Sequence, residues 1–444
     1  MRAVMRSLLP FALALALAGC AHGSADPQES APRAASCPAE LPQDARCLQG
    51  RDSAGAFYLV AVPAQWNGTL VLHAHGGPTL GAPTLERTAE DLKRWAVVVK
   101  AGYAWAGSSF RQGGVAVRAA AEDTERLRRI FRLHVAQPRL TLLHGQSWGA
   151  AVAAVGASMY TDDGQGRRPY NAVLLSSGVL AGSQSYDFRL DLRVLYQALC
   201  ANHPRPEEGS YPLWMGLPPG MKLEPGELRR RVDACLGLDR AAALRTPEQQ
   251  RKLRTLTGVL NIPADSIPGH LSWATWHFQD IAQRMGGRSV FGNEGVRYRG
   301  SDDDAAINAA VARYRADPAA VADFAADVDP DGRIPVPVLT VHGIGDPTAF
   351  VEMDHGFRAT MARAGTAGHL VQTFTEDRTH SYLSDVVYVT LLAELSRWAR
   401  GGAMPTPAGI AEHCRGFEPA WGAGCRFRPD YQPQPLDTRV APRG

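Results

Sequence analysis

The sequence predicts an α/β fold in which a mostly parallel sheet carries helices on both faces and is interrupted by a helical cap. Three observations predict it. Strand-like runs alternate with helix-like stretches from about Phe57 to about Leu180, the alternation then stops, and it resumes at Ile334 and continues to Arg400. Each parallel return needs a crossover, and a helix is the crossover that also covers a face of the sheet. The interruption is roughly 150 residues, too long for a bare loop, so it is expected to fold as a unit of its own over the sheet.

The chain opens with MRAVMRSLLPFALALALAGCA, in which Arg2 and Arg6 precede an apolar run of about a dozen residues, shorter than the roughly 20 that a spanning helix needs. This reads as an export signal over residues 1–19. Leu17-Ala18-Gly19-Cys20 resembles the lipobox of bacterial lipoproteins. The resemblance implies cleavage before Cys20, acylation of that cysteine and attachment to a membrane through the N-terminal lipid. Ala21 rather than an aspartate follows, which by the same resemblance implies the outer membrane in a cell that has two. Residues 20–36 are rich in Ala, Ser and Pro without an apolar period and read as the lipidated cysteine and a flexible tether.

The core is expected in two parts, 37–180 and 334–400, on either side of the cap at 181–333. In the first part, AFYLVAVP and TLVLHAHGGP are β-rich runs around an Asn67-Gly68 turn. A helical stretch from Leu85 to Lys100 leads to the short apolar run GYAWAGS, then to the amphipathic VRAAAEDTERLRRIFRLHV, the buried strand RLTLLHG, a small-residue helix and the strand NAVLLSSG. The cap shows Pro-rich turns and helix-like pieces such as GELRRRVDACLGL and PGHLSWATWHFQDIAQRMGG. PVPVLTVHG, a helix near 351–364, HLVQTFTED and a helix over 384–400 complete the core, and residues 401–444 are expected to be an irregular extension.

Removing the first 19 residues leaves 45 basic against 44 acidic side chains, a balance that gives no electrostatic case for a nucleic-acid partner. Six cysteines remain beyond Cys20, an even number that reads as disulfides in an exported chain. Six cysteines allow 15 connectivities, among which the sequence does not choose; nearest-neighbour pairing, Cys37–Cys47, Cys200–Cys235 and Cys414–Cys425, is the expectation adopted. None has the C-x-x-C spacing of a zinc site, and no metal or other cofactor is expected.

Chemistry concentrates at three places. Gly145-Gln146-Ser147-Trp148-Gly149 falls where a strand breaks into a helix, so Ser147 is the candidate nucleophile. A serine hydroxyl needs a base to take its proton and an acid to orient that base. Asp346 lies just past the strand VLTVHG, and His380 lies in the loop after the following strand, in the order Ser, Asp, His. Asp377 is the rival acid; His342 and His144 sit inside apolar strands and read as packed histidines. An oxyanion hole is expected from the backbone N–H of Trp148 and one N–H from the His75-Gly76-Gly77-Pro78 loop, with Gly76 or Gly77 as donor. In the cap, Trp273, Trp276 and His277, at helical spacing, are the candidates for a substrate wall, while Asp327-Val-Asp329-Pro-Asp331-Gly332 opens like a calcium loop but reads as a turn because Val338 stands where the last ligand belongs.

G-Q-S-W-G, G-D-P and T-H-S, in that order at the ends of strands, resemble the α/β-hydrolase superfamily. The resemblance implies a serine hydrolase that needs no cofactor and takes a small-molecule ester, or a peptide, as substrate. A second resemblance, in HGGP with G-x-S-W-G and a helical cap, is to the proline iminopeptidase group, from which Thr79 and Ala150 depart. That group holds a substrate amine with cap carboxylates, for which Glu207 and Glu208 are the candidates. A non-catalytic binding lipoprotein is the third reading; loss of a triad member would be its mark, and all three candidates are present.

Overall fold

A computed structural model describes residues 29–443, so the export signal and Cys20 lie outside the described residues. The strands in chain order are β1 (Arg33–Ala35), β2 (Arg46–Arg51), β3 (Phe57–Val62), β4 (Thr69–Ala74), β5 (Ala104–Ser108), β6 (Leu140–Gln146), β7 (Ala172–Ser176), β8 (Val338–Gly343) and β9 (Leu370–Thr375). They form one nine-stranded sheet in the order β1-β2-β3-β5-β4-β6-β7-β8-β9. The β1–β2, β2–β3 and β3–β5 pairs are antiparallel, and every pair from β5 onward to β9 is parallel. The central strands β4, β6, β7 and β8 are buried along their whole length, as continuous apolar runs covered on both faces should be. This is an α/β-hydrolase fold.

The helices are α1 (Leu85–Arg94), α2 (Ala96–Lys100), α3 (Val117–His134), α4 (Trp148–Met159), α5 (Asp187–Cys200), α6 (Pro225–Leu236), α7 (Pro247–Leu260), α8 (Ile267–Arg284), α9 (Asp304–Ala310), α10 (Pro318–Val328), α11 (Met353–Arg363), α12 (Asp385–Ala399) and α13 (Pro407–Trp421). On one face of the sheet, Leu92 of α1, Val97 and Val98 of α2 and Val387 and Leu391 of α12 pack on Val71, Leu142 and Leu174. On the other, Leu127 and Phe131 of α3, Ala150 and Ala153 of α4 and Phe357 of α11 pack on Leu70, Leu143 and Val173. Among the described residues the segment between β7 and β8 holds helices and turns and no strand. Its own apolar core joins Leu192, Leu256, Leu271, Phe278 and Phe291 to Trp148 and Val152 of the sheet layer beneath.

Two expectations are corrected. The tether does not extend to residue 36: Arg33–Ala35 pair with Cys47–Gln49 as the edge strand β1, and the Glu29 carboxylate accepts from Ser53. The edge of β2 supplies unpaired backbone groups that a short polar segment can satisfy without any apolar pattern of its own. The C-terminal extension is not irregular throughout, since α13 fills 15 of its residues. Thr406 caps it and Pro407 occupies its first turn, a start signal, and its own Ile410 and Cys414 are buried.

The three disulfides are Cys37–Cys47, Cys200–Cys235 and Cys414–Cys425. The acidic turn at the cap's end is used for capping: Asp327 accepts from the N–H groups of Val117 and Arg118 at the start of α3, and Asp329 from that of Ser183. Beyond α13 the chain returns to the cap. Arg439 pairs with Glu352 of the core and donates to the Asn261 carbonyl of the cap, and Arg443 pairs with the buried Asp191 of α5.

Candidate functional site

β6 ends in Gln146, and the turn into α4 holds Ser147 at φ 57° and ψ −122°, a conformation that L-residues rarely adopt. The two flanking glycines are required by space. A Cβ at Gly145 would stand 2.2 Å from the Gly149 carbonyl oxygen, and one at Gly149 would stand 2.1 Å from that of Ala74. Gly-x-Ser-x-Gly is therefore the sequence of a turn in which the helix start, the strand end and the neighbouring β4 end press together. The Ser147 N–H donates to the Ser176 carbonyl, which fixes the turn to β7.

Ser147 Oγ lies 2.8 Å from His380 Nε2, and His380 Nδ1 lies 2.7 Å from Asp346 Oδ2. Three loops at the carboxyl ends of β6, β8 and β9 thus bring together residues far apart in sequence, at the edge where open α/β sheets place their chemistry. Asp346 is buried and accepts from the N–H groups of Thr348 and Ala349 through its other oxygen. Asp377 faces Arg426 instead, at 3.1 Å. Gln146 donates to Ser381 Oγ at 2.6 Å, a direct tie between the serine turn and the histidine loop.

His342 is part of this arrangement in a way its sequence context conceals. Its Nδ1 is 2.6 Å from Asp354 Oδ2, and its Nε2 is 2.9 Å from the Ala349 carbonyl and 3.4 Å from Asp346 Oδ2. Burial opposes charge on this imidazole, yet Asp354 and Asp346 outweigh burial and raise its pKa to about 10. Burial would likewise raise Asp346, but hydrogen bonds from His342 and His380 hold its carboxyl below the usual carboxylate range. Asp346 is therefore a carboxylate held between two imidazoles. His144 and His73, in contrast, meet each other at 3.1 Å and are kept neutral by burial, His144 pushed down to about 3.

The His75–Pro78 loop borders the serine turn. A Cβ at Gly76 would lie 2.3 Å from the Gln146 side chain, so the loop backbone is pressed against the residue before Ser147. The Gly76 carbonyl accepts from Arg87 and contacts His75 Nδ1. Because carbonyl and N–H of a trans peptide point in opposite directions, the Gly77 N–H is directed away from Arg87.

Cap helix α8 closes over both loops. His270 Nε2 lies 2.9 Å from the Pro347 carbonyl, next to Asp346, and His277 Nε2 lies 2.8 Å from the Pro78 carbonyl, next to Gly77. Burial keeps both histidines neutral, at about 3 and about 4, so each donates one N–H. Trp273 lies between them on the same helix face, stacked on His277 at 4.7 Å and on Tyr186 at 5.0 Å. Trp276 turns instead into a depression made of cap residues, with Leu228, Pro268 and Ser272. Glu208 is bound by Arg231 and caps the Arg205 N–H, and Glu207 is exposed.

Sequence reasoning grouped His277 with the cap aromatics, and missed His270 and the buried Arg189 of α5. The histidine spacing of seven along α8 is visible but names no target, because the carbonyls it reaches belong to loops elsewhere in the chain. Arg189 and Arg193, four apart in DFRLDLRVLY, where Asp187 and Asp191 also interrupt the apolar residues, are the one available signal in α5.

No protein-family model matches the sequence, and no curated protein is significantly similar to it. Solved structures similar to this chain include the rice cell wall degrading esterase LipA from Xanthomonas oryzae, at 14% identity and a TM-score of 0.38 over 75% of this chain and 83% of that one. Feruloyl esterase B from Aspergillus oryzae is similar at 13% identity and a TM-score of 0.43 over 84% and 86%. A puromycin hydrolase is similar at 13% identity and a TM-score of 0.39 over 86% and 42%. The fold stated above rests on the strand order and pairing of this chain.

Proposed function

We propose that the protein is a serine hydrolase that cleaves carboxylic esters through an acyl-enzyme. The observation that carries this reading is the hydrogen-bonded chain from Ser147 through His380 to Asp346 at the strand-to-helix turn. In the first half-reaction His380 Nε2 takes the Ser147 proton while Oγ adds to the ester carbonyl carbon. The carbonyl π bond becomes an oxyanion, received by the N–H groups of Trp148 and Gly77. As the carbonyl reforms, the C–O bond to the alcohol breaks and His380 gives that alcohol its proton. Water then adds by the same route, releasing the acid and restoring Ser147. Asp346 keeps its charge throughout and stabilises the imidazolium.

Ester rather than amino-terminal peptide cleavage is favoured by the cap. An aminopeptidase needs a carboxylate presented to the substrate amine, and the two candidates are otherwise placed: Glu208 is held by Arg231 and Glu207 is exposed. Attachment of the mature chain to a membrane through Cys20 is part of the same proposal, supported by the lipobox-like sequence and by three disulfides, which persist in oxidising compartments outside the cytosol. Palmitate incorporation that is lost in Cys20→Ala tests it.

The test of the reaction is intact-mass analysis of the chain from Ala21 onward after treatment with diisopropyl fluorophosphate, beside the Ser147→Ala variant. One phosphoryl adduct on the parent and none on the variant supports an activated Ser147. No adduct on a folded parent overturns the reading.

A further inference from the structure

Arg189 is 5% exposed, and among the described residues it has no carboxylate within 4.0 Å. Its one hydrogen bond runs from Nη1 to the Ser185 carbonyl, and its buried Nε–H has no acceptor. What surrounds the guanidinium is aromatic: its Cζ lies 4.4 Å from the Trp273 ring centroid, 4.6 Å from that of Phe188 and 5.8 Å from that of Tyr186. Rings offset part of the cost of burying a cation, but they supply no acceptor for its planar donors. A buried charge without a counterion is rare in a folded chain, and an unpaired buried polar group calls for a specific explanation.

The position of Arg189 supplies one. Trp273 stacks on His277, which is bonded to the loop carrying Gly77; Phe188 packs against His270, which is bonded to the carbonyl after Asp346. Arg189 is thus wedged between the two cap contacts that straddle the catalytic loops. Tyr186 also stands beside Trp148, the residue after the nucleophile. Arg193, one turn further along α5, does not share this place: it is fully buried and donates to the Gly216 carbonyl.

We propose that Arg189 binds a carboxylate of the substrate, so that the enzyme acts on esters that carry a free carboxylate near the scissile bond. This inference rests on the serine-hydrolase reading. The Nε edge of a guanidinium fits a carboxylate through two parallel hydrogen bonds, and the aromatic walls exclude water that would otherwise screen the pair. The neutral His270 and His277 add no competing cation. A cationic cap interior also repels the substrate ammonium that an aminopeptidase must hold.

The test uses two pairs of matched esters. In one the carboxylate is on the acyl side, 4-nitrophenyl hydrogen adipate against 4-nitrophenyl hexanoate. In the other it is on the leaving group, 3-(butanoyloxy)benzoate against its methyl ester. The readout is the ratio of kcat/KM for the anionic member to that for the neutral member, in the parent, Arg189→Met and Arg189→Lys. The expected result is a ratio above one in the parent for at least one pair, a fall of about tenfold or more in Arg189→Met and an intermediate value in Arg189→Lys. A ratio that Arg189→Met leaves unchanged overturns the proposal, even where both rates fall together. So does a parent that favours the neutral member of both pairs. Should Arg189→Met fail to fold, the parent ratios and Arg189→Lys still decide. Labelling of Ser147 by the fluorophosphate separates the two levels: an adduct with no carboxylate preference removes this inference alone, and no adduct removes the reading beneath it as well.

Discussion

Core helix α3 and cap helix α5 both bury arginines, and they treat them oppositely. Arg128 of α3 meets Glu125 with both forks of its guanidinium, through Nε and Nη2 at 2.7 Å each, and Tyr170 adds a hydrogen bond to the same carboxylate. Arg189 and Arg193 of α5 have aromatic neighbours and, among the described residues, no carboxylate partner. A charge whose partner is built into the fold has no bonding capacity left for anything else. One left unpaired beside reacting groups retains it. The core therefore uses its buried charges to hold itself together, while the cap keeps at least one available.

The severest break in this contrast lies at Asp346, a fully paired charge to which the proposed reaction also assigns a part. Asp346→Asn is expected to lower kcat by about 10⁴-fold, read from ester turnover, because the amide presents the wrong partner to the imidazole. Thermal unfolding of the same variant should remain cooperative.

Next in size is the structural arm of the comparison. Glu125→Gln leaves Arg128 charged and buried without its counterion, and should cost about 3–5 kcal/mol of stability in denaturant titration. Arg189→Met removes a charge that has no counterion to lose, so its stability should stay within about 2 kcal/mol of the parent. Equal losses in the two variants would dissolve the distinction between the helices.

His342 sharpens the comparison through pH. Its folded pKa is raised to about 10 against an ordinary 6.5. The folded state thus holds a proton that the unfolded state releases between these values. Stability from this group is complete below about pH 6.5 and declines as pH rises toward 10, by at most about 1.4 kcal/mol per pH unit. Urea midpoints measured from pH 6 to 10 should fall more steeply in the parent than in His342→Gln. The smallest effect is expected at Trp276→Ala, which alters a depression made of cap residues and should change kcat/KM by less than about twofold. A tenfold loss would move that depression into the substrate path.

What is legible in the sequence follows from the same division. The serine turn can be read because its two glycines are demanded by close backbone contacts, and Asp346 and His380 because strand ends announce them. The short strand β1 is hidden, since its pairing depends on the open edge of β2 rather than on side chains of its own. Helix α13 carries a start signal in Thr406-Pro407, but that signal lies among Pro- and Gly-rich turns that mask it. The role of Arg189 is the least legible. An arginine in an apolar helix looks the same whether its partner is a glutamate from another element or nothing at all, and only the packed structure distinguishes them. Likewise His342 can be read as buried, but not as the second imidazole on Asp346.

The return of the chain from α13 to the cap bears on how the molecule is completed. The cap is made in the middle of the polypeptide, yet Arg439 and Arg443, which bond to Asn261 and Asp191 of the cap and to Glu352 of the core, are made long after it. A chain made only as far as the cap holds Asp191 without the cation of Arg443. The cap over the serine is therefore tied down by residues that the ribosome adds more than a hundred positions after the cap itself.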